Sequence, residues 1–267
     1  MGMRVHHLNC ALFAPPLVPP VVCHVLMCET DTGLVLVDTG LGLDDYADPK
    51  DRMGPSRRLL RPVSDARSTA LRQIEMLGFA AADVSDVVLT HLDFDHIGGL
   101  SDFPDATVHT TADEHAAAIT SPDFLDRRRY RPAQWAHGPA WQLYDGPGDV
   151  WRHDLTGYEV LPGITLVPMP GHSRGHAAVA VEAGERGLLV HAGDAAFDSS
   201  LYADAAPSGS PLTKVGMLRT FEKVVGRDLR AIKRNHLTLR ALNDTDDVTV
   251  LTAHDKRIFD DLAAVGG

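Results

Sequence analysis

The sequence predicts a layered α/β protein, a sheet structure with helices packed against it. Short apolar runs of strand length alternate with stretches whose apolar residues recur at helical spacing. Glycine, proline and aspartate punctuate the joints between them. Several strand-length runs also end in histidines and carboxylates, and loops at one edge of a sheet can bring such distant positions together. The chain has 267 residues, 44% of them hydrophobic and 23% charged, as in an ordinary globular protein. One domain over residues 1–267 is expected, since no linker demands a second. The net charge of −11, from 25 basic and 36 acidic residues, argues against nucleic acid and anionic membranes as partners. No apolar run reaches the ~18–20 residues that span a bilayer. Cys10, Cys23 and Cys28 lack metal-like spacing, which suggests reduced thiols packed in strands and a cytoplasmic protein.

The elements are expected in this order. Residues 5–13 and 21–28 read as strands separated by the bend at Pro15, Pro16, Pro19 and Pro20. Residues 34–37 form a third strand after the Thr30-Asp31-Thr32-Gly33 turn, ending in Asp38-Thr39-Gly40. Asp38 is either a turn cap or a carboxylate that orients a metal-bound imidazole. Residues 41–63 read as a polar loop, with Arg57, Arg58 and Arg61 on a solvated face. Ser64 or Asp65 can cap a helix carrying Leu71, Ile74 and Leu77 and stopped by Gly78. The buried run at 87–89 follows, then a strand near 107–110 and a helix around 113–119. Residues 121–153 break the alternation and hold all three tryptophans with interleaved arginines. Tyr130, Trp135 and Trp141 there read as a substrate-covering wall, with a satellite core as the alternative. A hairpin over 158–168, strands at 177–181 and 187–191, helices at 212–225 and 229–242, a strand at 248–252 and a helix at 256–265 complete the chain.

The chemistry is concentrated in Thr90-His91-Leu92-Asp93-Phe94-Asp95-His96-Ile97-Gly98-Gly99. Two imidazoles and two carboxylates within six residues suit a divalent cation, whose charge offsets the carboxylates. Gly98-Gly99 is expected to let the backbone turn tightly beneath them. His172, Asp194 and His254 end three later strand-like runs and supply further donors.

This ordered set, with TDTGLVLVDTG, MPGHSRGH, HAGDA and TAHD around it, resembles the metallo-β-lactamase-fold superfamily. The resemblance spans residues 21–254 and implies an αββα sandwich of two mixed sheets flanked by helices. It places His91, Asp93 and His172 around one metal ion, Asp95, His96 and His254 around a second, and Asp194 between both. Asp38 and His176 would lie behind the ligands, His176 possible also as a substrate-facing group. The other nine histidines are expected to be structural or on the surface, His191 being the one to check. The implied activity is hydrolysis of a small ester, lactone or related carbonyl substrate. Two divalent ions would acidify a shared water into the nucleophile and polarise the carbonyl, with Asp95 and Asp194 catalytic.

Position 93 departs from the usual His-x-His-x-Asp-His motif. An aspartate there makes the cluster neutral on paper and shifts the expected metal from zinc towards iron or manganese. A diiron redox enzyme on the same fold, or a metal-containing ligand-binding module, are the alternative classes. The layout is most similar to the acyl-homoserine-lactone lactonase branch, which carries a catalytic tyrosine three residues after the bridging aspartate. Phe197 occupies that position here and lacks a hydroxyl to donate. Phe197 is expected to line the pocket, with Tyr202 as a nearby substitute. The partner is expected to be a small molecule, and the oligomeric state is open, a homodimer being compatible.

Overall fold

A computed structural model describes residues 3–265. The chain runs through β1 (Arg4–Phe13), β2 (Val21–Thr30) and β3 (Gly33–Val37), then three short helices, α1 (Leu43–Ala47), α2 (Pro49–Met53) and α3 (Ser56–Leu60). Helix α4 (Ala70–Met76), β4 (Val84–Val88), α5 (Phe94–Ile97), β5 (Thr107–Thr111), α6 (Ala112–His115) and α7 (Phe124–Arg129) follow. Then come β6 (Ala140–Tyr144), β7 (Asp149–Val150), β8 (Thr156–Leu161), β9 (Ile164–Pro168), β10 (Ala177–Glu182) and β11 (Leu188–His191). The chain finishes with α8 (Gly216–Val225), α9 (Leu229–Asn243), β12 (Val248–Leu251) and α10 (Lys256–Val265).

These strands form two six-stranded sheets, ordered β1-β2-β3-β4-β5-β6 and β12-β11-β10-β9-β8-β7. Both are mixed. The first is antiparallel from β1 to β3 and parallel from β3 to β6. In the second only β11 and β12 run parallel. Strand alternation sorts the apolar side chains into layers. Leu26, Val35, Val37 and Val88 of the first sheet meet Ile164, Val179, Val181 and Leu189 of the second between the sheets. Ile74 of α4 covers the outer face of the first sheet, and Leu239 and Leu242 of α9 cover the second. The result is the expected αββα sandwich.

Three expectations are corrected. Residues 41–63 are helical in three short pieces, held by a buried ion pair between Asp45 and Arg52 (3.0 Å). Arg52 also donates to the carbonyls of Gly98 and Ala133, which ties this segment beneath the His91–His96 loop. The helix expected from residue 64 starts at Ala70, because the Thr69 side chain caps it, while Asp65 caps only a preceding single turn. Gly98 has an ordinary helical φ of −57°. Its lack of a side chain matters for approach instead, since a Cβ there would sit 1.9 Å from an Asp45 carboxylate oxygen.

Candidate metal centre

The parallel strand β4 ends at Val88, and the chain then crosses the rim between the sheets. Leu89 and Thr90 remain fully buried, so the polar cluster that follows starts from a rigid base. His91, Asp93, Asp95 and His96 emerge there, beside His172 after β9, Asp194 after β11 and His254 after β12. All seven lie at the same rim, and two groups of donor atoms result.

In the first group, His172 Nε2 lies 3.1 Å from Asp194 Oδ2 and 3.2 Å from Asp93 Oδ2. His91 Nε2 lies 3.3 Å from Asp93 Oδ2 and 3.8 Å from Asp194 Oδ2. In the second, Asp194 Oδ1 lies 3.1 Å from His254 Nε2 and 3.4 Å from His96 Nε2, and Asp95 Oδ2 lies 3.6 Å from His254 Nε2. A tetrahedral ion with bonds of about 2.1 Å sets its donor atoms roughly 3.4 Å apart. The two groups have that spacing, and they use different oxygens of Asp194. The donors also fit a cation by elimination. His91 Nε2, His96 Nε2 and Asp194 Oδ1 are buried with no hydrogen-bond partner, an unfavourable arrangement unless something else occupies the space between them.

The far sides of the imidazoles are held unequally. His96 Nδ1 is 2.8 Å from Asp38 Oδ2, and His254 Nδ1 donates to the Val22 carbonyl at 2.8 Å. Asp38 itself adopts a left-handed backbone (φ 59°), tolerated by aspartate, and is fixed by the Thr90 amide and hydroxyl. His91 Nδ1 meets the Thr90 hydroxyl at 3.0 Å, whereas His172 Nδ1 is buried without a partner. His176 is fully buried. Its Nδ1 meets the Met169 carbonyl, and its Nε2 accepts from the Asp194 amide at 2.9 Å. His191 donates to the His24 carbonyl, a structural role. Gly193 keeps this packing possible, with φ 51° and a position where a Cβ would meet His176 Nε2 at 2.7 Å.

Electrostatics follow the same division. Burial opposes charge on Asp194, yet His254, His96 and His172 outweigh it and hold the carboxyl well below its usual range. Burial likewise disfavours protonated His254, but Asp194 and Asp95 raise it to about 9. His172 is instead lowered to about 3, by burial first and then by the Arg129 guanidinium.

Arg129 is the feature sequence reasoning missed. Its Nε donates to Asp93 Oδ1 and its Nη2 to Asp93 Oδ2, each at 2.6 Å. The charge balance drawn from the sequence is therefore corrected, because a guanidinium returns the positive charge that Asp93 removes. Two other omissions are structural. Buried Glu114 accepts from the Leu92 amide, the Ser173 hydroxyl, the Gly175 amide and the Tyr130 hydroxyl, joining the two motif loops. Cys23, buried as expected with the other thiols, lies within ligand range of Asp95 and His254. Nothing in the local pattern around Glu114 or Arg129 marks them, and Cys23 precedes the motif loop by some seventy residues.

A cavity of about 370 Å³ opens onto Asp93, Asp95, His172, Asp194 and His254. Phe197 lines it, its ring centroid 5.3 Å from that of His254 and 5.6 Å from that of His172. The expected aromatic wall is corrected. Tyr130, Trp135 and Trp141 lie away from this cavity, Tyr130 in the core and both tryptophans packed against it. Their segment does reach the cavity, through Leu125, Asp126, Arg128 and Arg129. Tyr202 is fully buried, its hydroxyl on Ser199 and the Val250 carbonyl, so it cannot replace the missing tyrosine at Phe197.

The pattern of the metallo-beta-lactamase superfamily matches residues 18–235, and the chain belongs to that superfamily. A Mycobacterium tuberculosis protein named a probable metallo-hydrolase is 42% identical over 96% of this chain and 82% of its own length. An N-acyl homoserine lactonase of Rhizobium radiobacter is 29% identical over 84% of this chain and 78% of its own. Among solved structures, an N-acyl homoserine lactone hydrolase with N-hexanoyl-L-homoserine at its catalytic metal centre superposes with a TM-score of 0.71. It is 19% identical and covers 96% of this chain and 95% of that one, a likeness of fold. Fold, donor cluster and relatives together make this protein a metal-dependent hydrolase. Among the described residues, no helix is long and apolar enough to cross a membrane.

Proposed function

We propose that this chain hydrolyses a small, partly apolar ester, lactone or related carbonyl compound at a centre with two metal positions bridged by Asp194. The observation that carries the reading is the set of buried, unpartnered donor atoms on His91, His96 and Asp194 facing one space. His91, Asp93, His172 and Asp194 Oδ2 would hold the first ion; Asp95, His96, His254 and Asp194 Oδ1 would hold the second. Bound there, divalent ions supply Lewis acidity for the carbonyl and an activated water. Zinc, iron and manganese all accept this mixture of imidazoles and carboxylates.

The chain's own residues do the rest. Asp38 and the Val22 carbonyl orient the imidazoles of His96 and His254. Asp95, which lines the cavity, would align a water bound there and take its proton. Leu59, Leu125, Phe221 and Val224 give the cavity apolar walls, which suit an acyl or ring substituent. The lactonases among the relatives support a lactone as one substrate class. Phe197 offers no hydroxyl to the substrate, so its recognition rests on apolar contact on that side.

The test is a panel of esters and lactones with acyl chains of increasing length. Purified protein is assayed as isolated, after chelation and after return of zinc, iron or manganese. Turnover that vanishes on chelation and returns with metal is expected, with KM falling as the acyl chain lengthens. No turnover across the panel in metal-replete protein would refute the reading.

A further inference from the structure

The first metal position already has a cation against it. Arg129 uses every donor it has there. Nε and Nη2 hold both oxygens of Asp93, and Nη1 donates to the carbonyls of His172 (2.8 Å) and Val225 (3.0 Å). The remaining Nη2 hydrogen is directed at His172 Nε2, with which it is in contact. The guanidinium is anchored from the end of α8 and from the His172 backbone, and it is largely buried beside the cavity. A neutral imidazole has one lone pair on the unprotonated nitrogen. His172 Nε2 can give that pair to the arginine or to an ion, and not to both.

We propose that Arg129 is a built-in competitor for the first metal position, so that the two positions load in sequence and with unequal affinity. This rests on the two-position reading above and adds an order to it. The position formed by Asp95, His96, His254 and Asp194 Oδ1 fills first, because among the described residues no arginine or lysine touches its donors. The first position fills only when the guanidinium gives up His172 Nε2 and shares Asp93. That exchange leaves a buried charge partly unpaired beside a divalent ion, and both effects oppose it. Without an ion in the first position, Arg129 supplies the positive charge on Asp93 that an ion would otherwise provide.

Metal-free full-length protein is titrated with zinc in the presence of a competing chelator, and with cobalt followed by its absorption bands. Two steps are expected in the native chain, the second weaker by about a hundredfold or more, the scale of disrupting a buried ion pair. Arg129→Met should narrow the gap to within about tenfold by strengthening the weaker step and leaving the tighter one in place. Arg129→Gln, which keeps the length and polarity of the side chain, should narrow it likewise. Two equal, tight ions in the native chain would overturn the proposal and leave the two-position reading standing. An unchanged gap in both variants would also overturn it. A chain that takes up no ion would remove both. The native titration decides even if neither variant folds.

Discussion

The two halves of the centre are made of similar donors and are held very differently. In the half containing His96 and His254, both outer nitrogens are tied down, to Asp38 and to the Val22 carbonyl, and the donors face one another. In the half containing His91 and His172, one outer nitrogen has no partner, and a guanidinium rests on the donors. The difference lies outside the ligand set. Imidazoles whose outer nitrogens are held by a carboxylate or a carbonyl bind metal with less reorganisation, and metal affinity follows those partners as well as the ligands. On the proposed reading, identical residue types thus make one position that is set in advance and another that has to be opened.

The comparison is most severely tested at Asp194, the one side chain common to both halves. Asp194→Ala should abolish retention of metal at both positions and reduce hydrolysis by about a hundredfold to a thousandfold, because the ions that would stabilise the developing negative charge are lost with it. Elemental analysis beside kinetics checks this. Retention by Asp194→Ala of as much metal as the native chain would mean that the halves do not share it.

Asp38→Ala acts on one half alone. It removes the acceptor that fixes His96, so the tighter step of metal binding should weaken by about 10–100-fold while the weaker step moves little. A zinc titration reads both steps. Equal weakening of the two would show that Asp38 supports the whole rim and not one position.

Protons sharpen the contrast. In the metal-free chain burial opposes the charge on His254, but Asp194 and Asp95 together raise it to about 9, and His172 is held near 3 by burial and Arg129. Between these values an ion must expel a proton from His254 but none from His172. The tighter step should therefore weaken as pH falls below about 9, releasing protons to buffer, and the weaker step should be flatter with pH. Calorimetric titrations in buffers of different ionisation enthalpy measure the protons released. Equal release at both steps would contradict the assignment.

The smallest effect on the site is expected from Trp141→Ala. Trp141 is half-buried on the core and away from the cavity. Its truncation should lower stability by about 2–3 kcal/mol, somewhat less than for a fully buried tryptophan. Metal content and KM should stay near those of the native chain. Thermal unfolding and kinetics on the same sample separate the two roles, and a raised KM at unchanged stability would return this tryptophan to the substrate wall.

Several features of the protein were legible from its residues in order. Apolar periodicity marked most strands and the long helices, because a strand or an amphipathic helix writes its buried face at fixed spacing. The rim donors His91, Asp95, His96, His172, Asp194 and His254 could be singled out because each sits just past an apolar run, where a strand must end and its loop must surface. Short helices α1 to α3 escaped notice, since five-residue turns carry too little periodicity to stand out and are stabilised by Arg52 and Asp45 in tertiary contact. The same reason hid the role of the 121–153 segment. Its tryptophans could serve a wall or a core equally well by composition, and only packing put them on the core. The pairing of Arg129 with Asp93 was beyond reach for a further reason. It joins residues 36 apart, and the guanidinium is steered onto the carboxylate by the carbonyls of His172 and Val225, which lie 43 and 96 residues further along the chain. Sequence states which charges a chain carries. Which charge meets which is settled when the chain closes, by long-range geometry that no local spacing encodes.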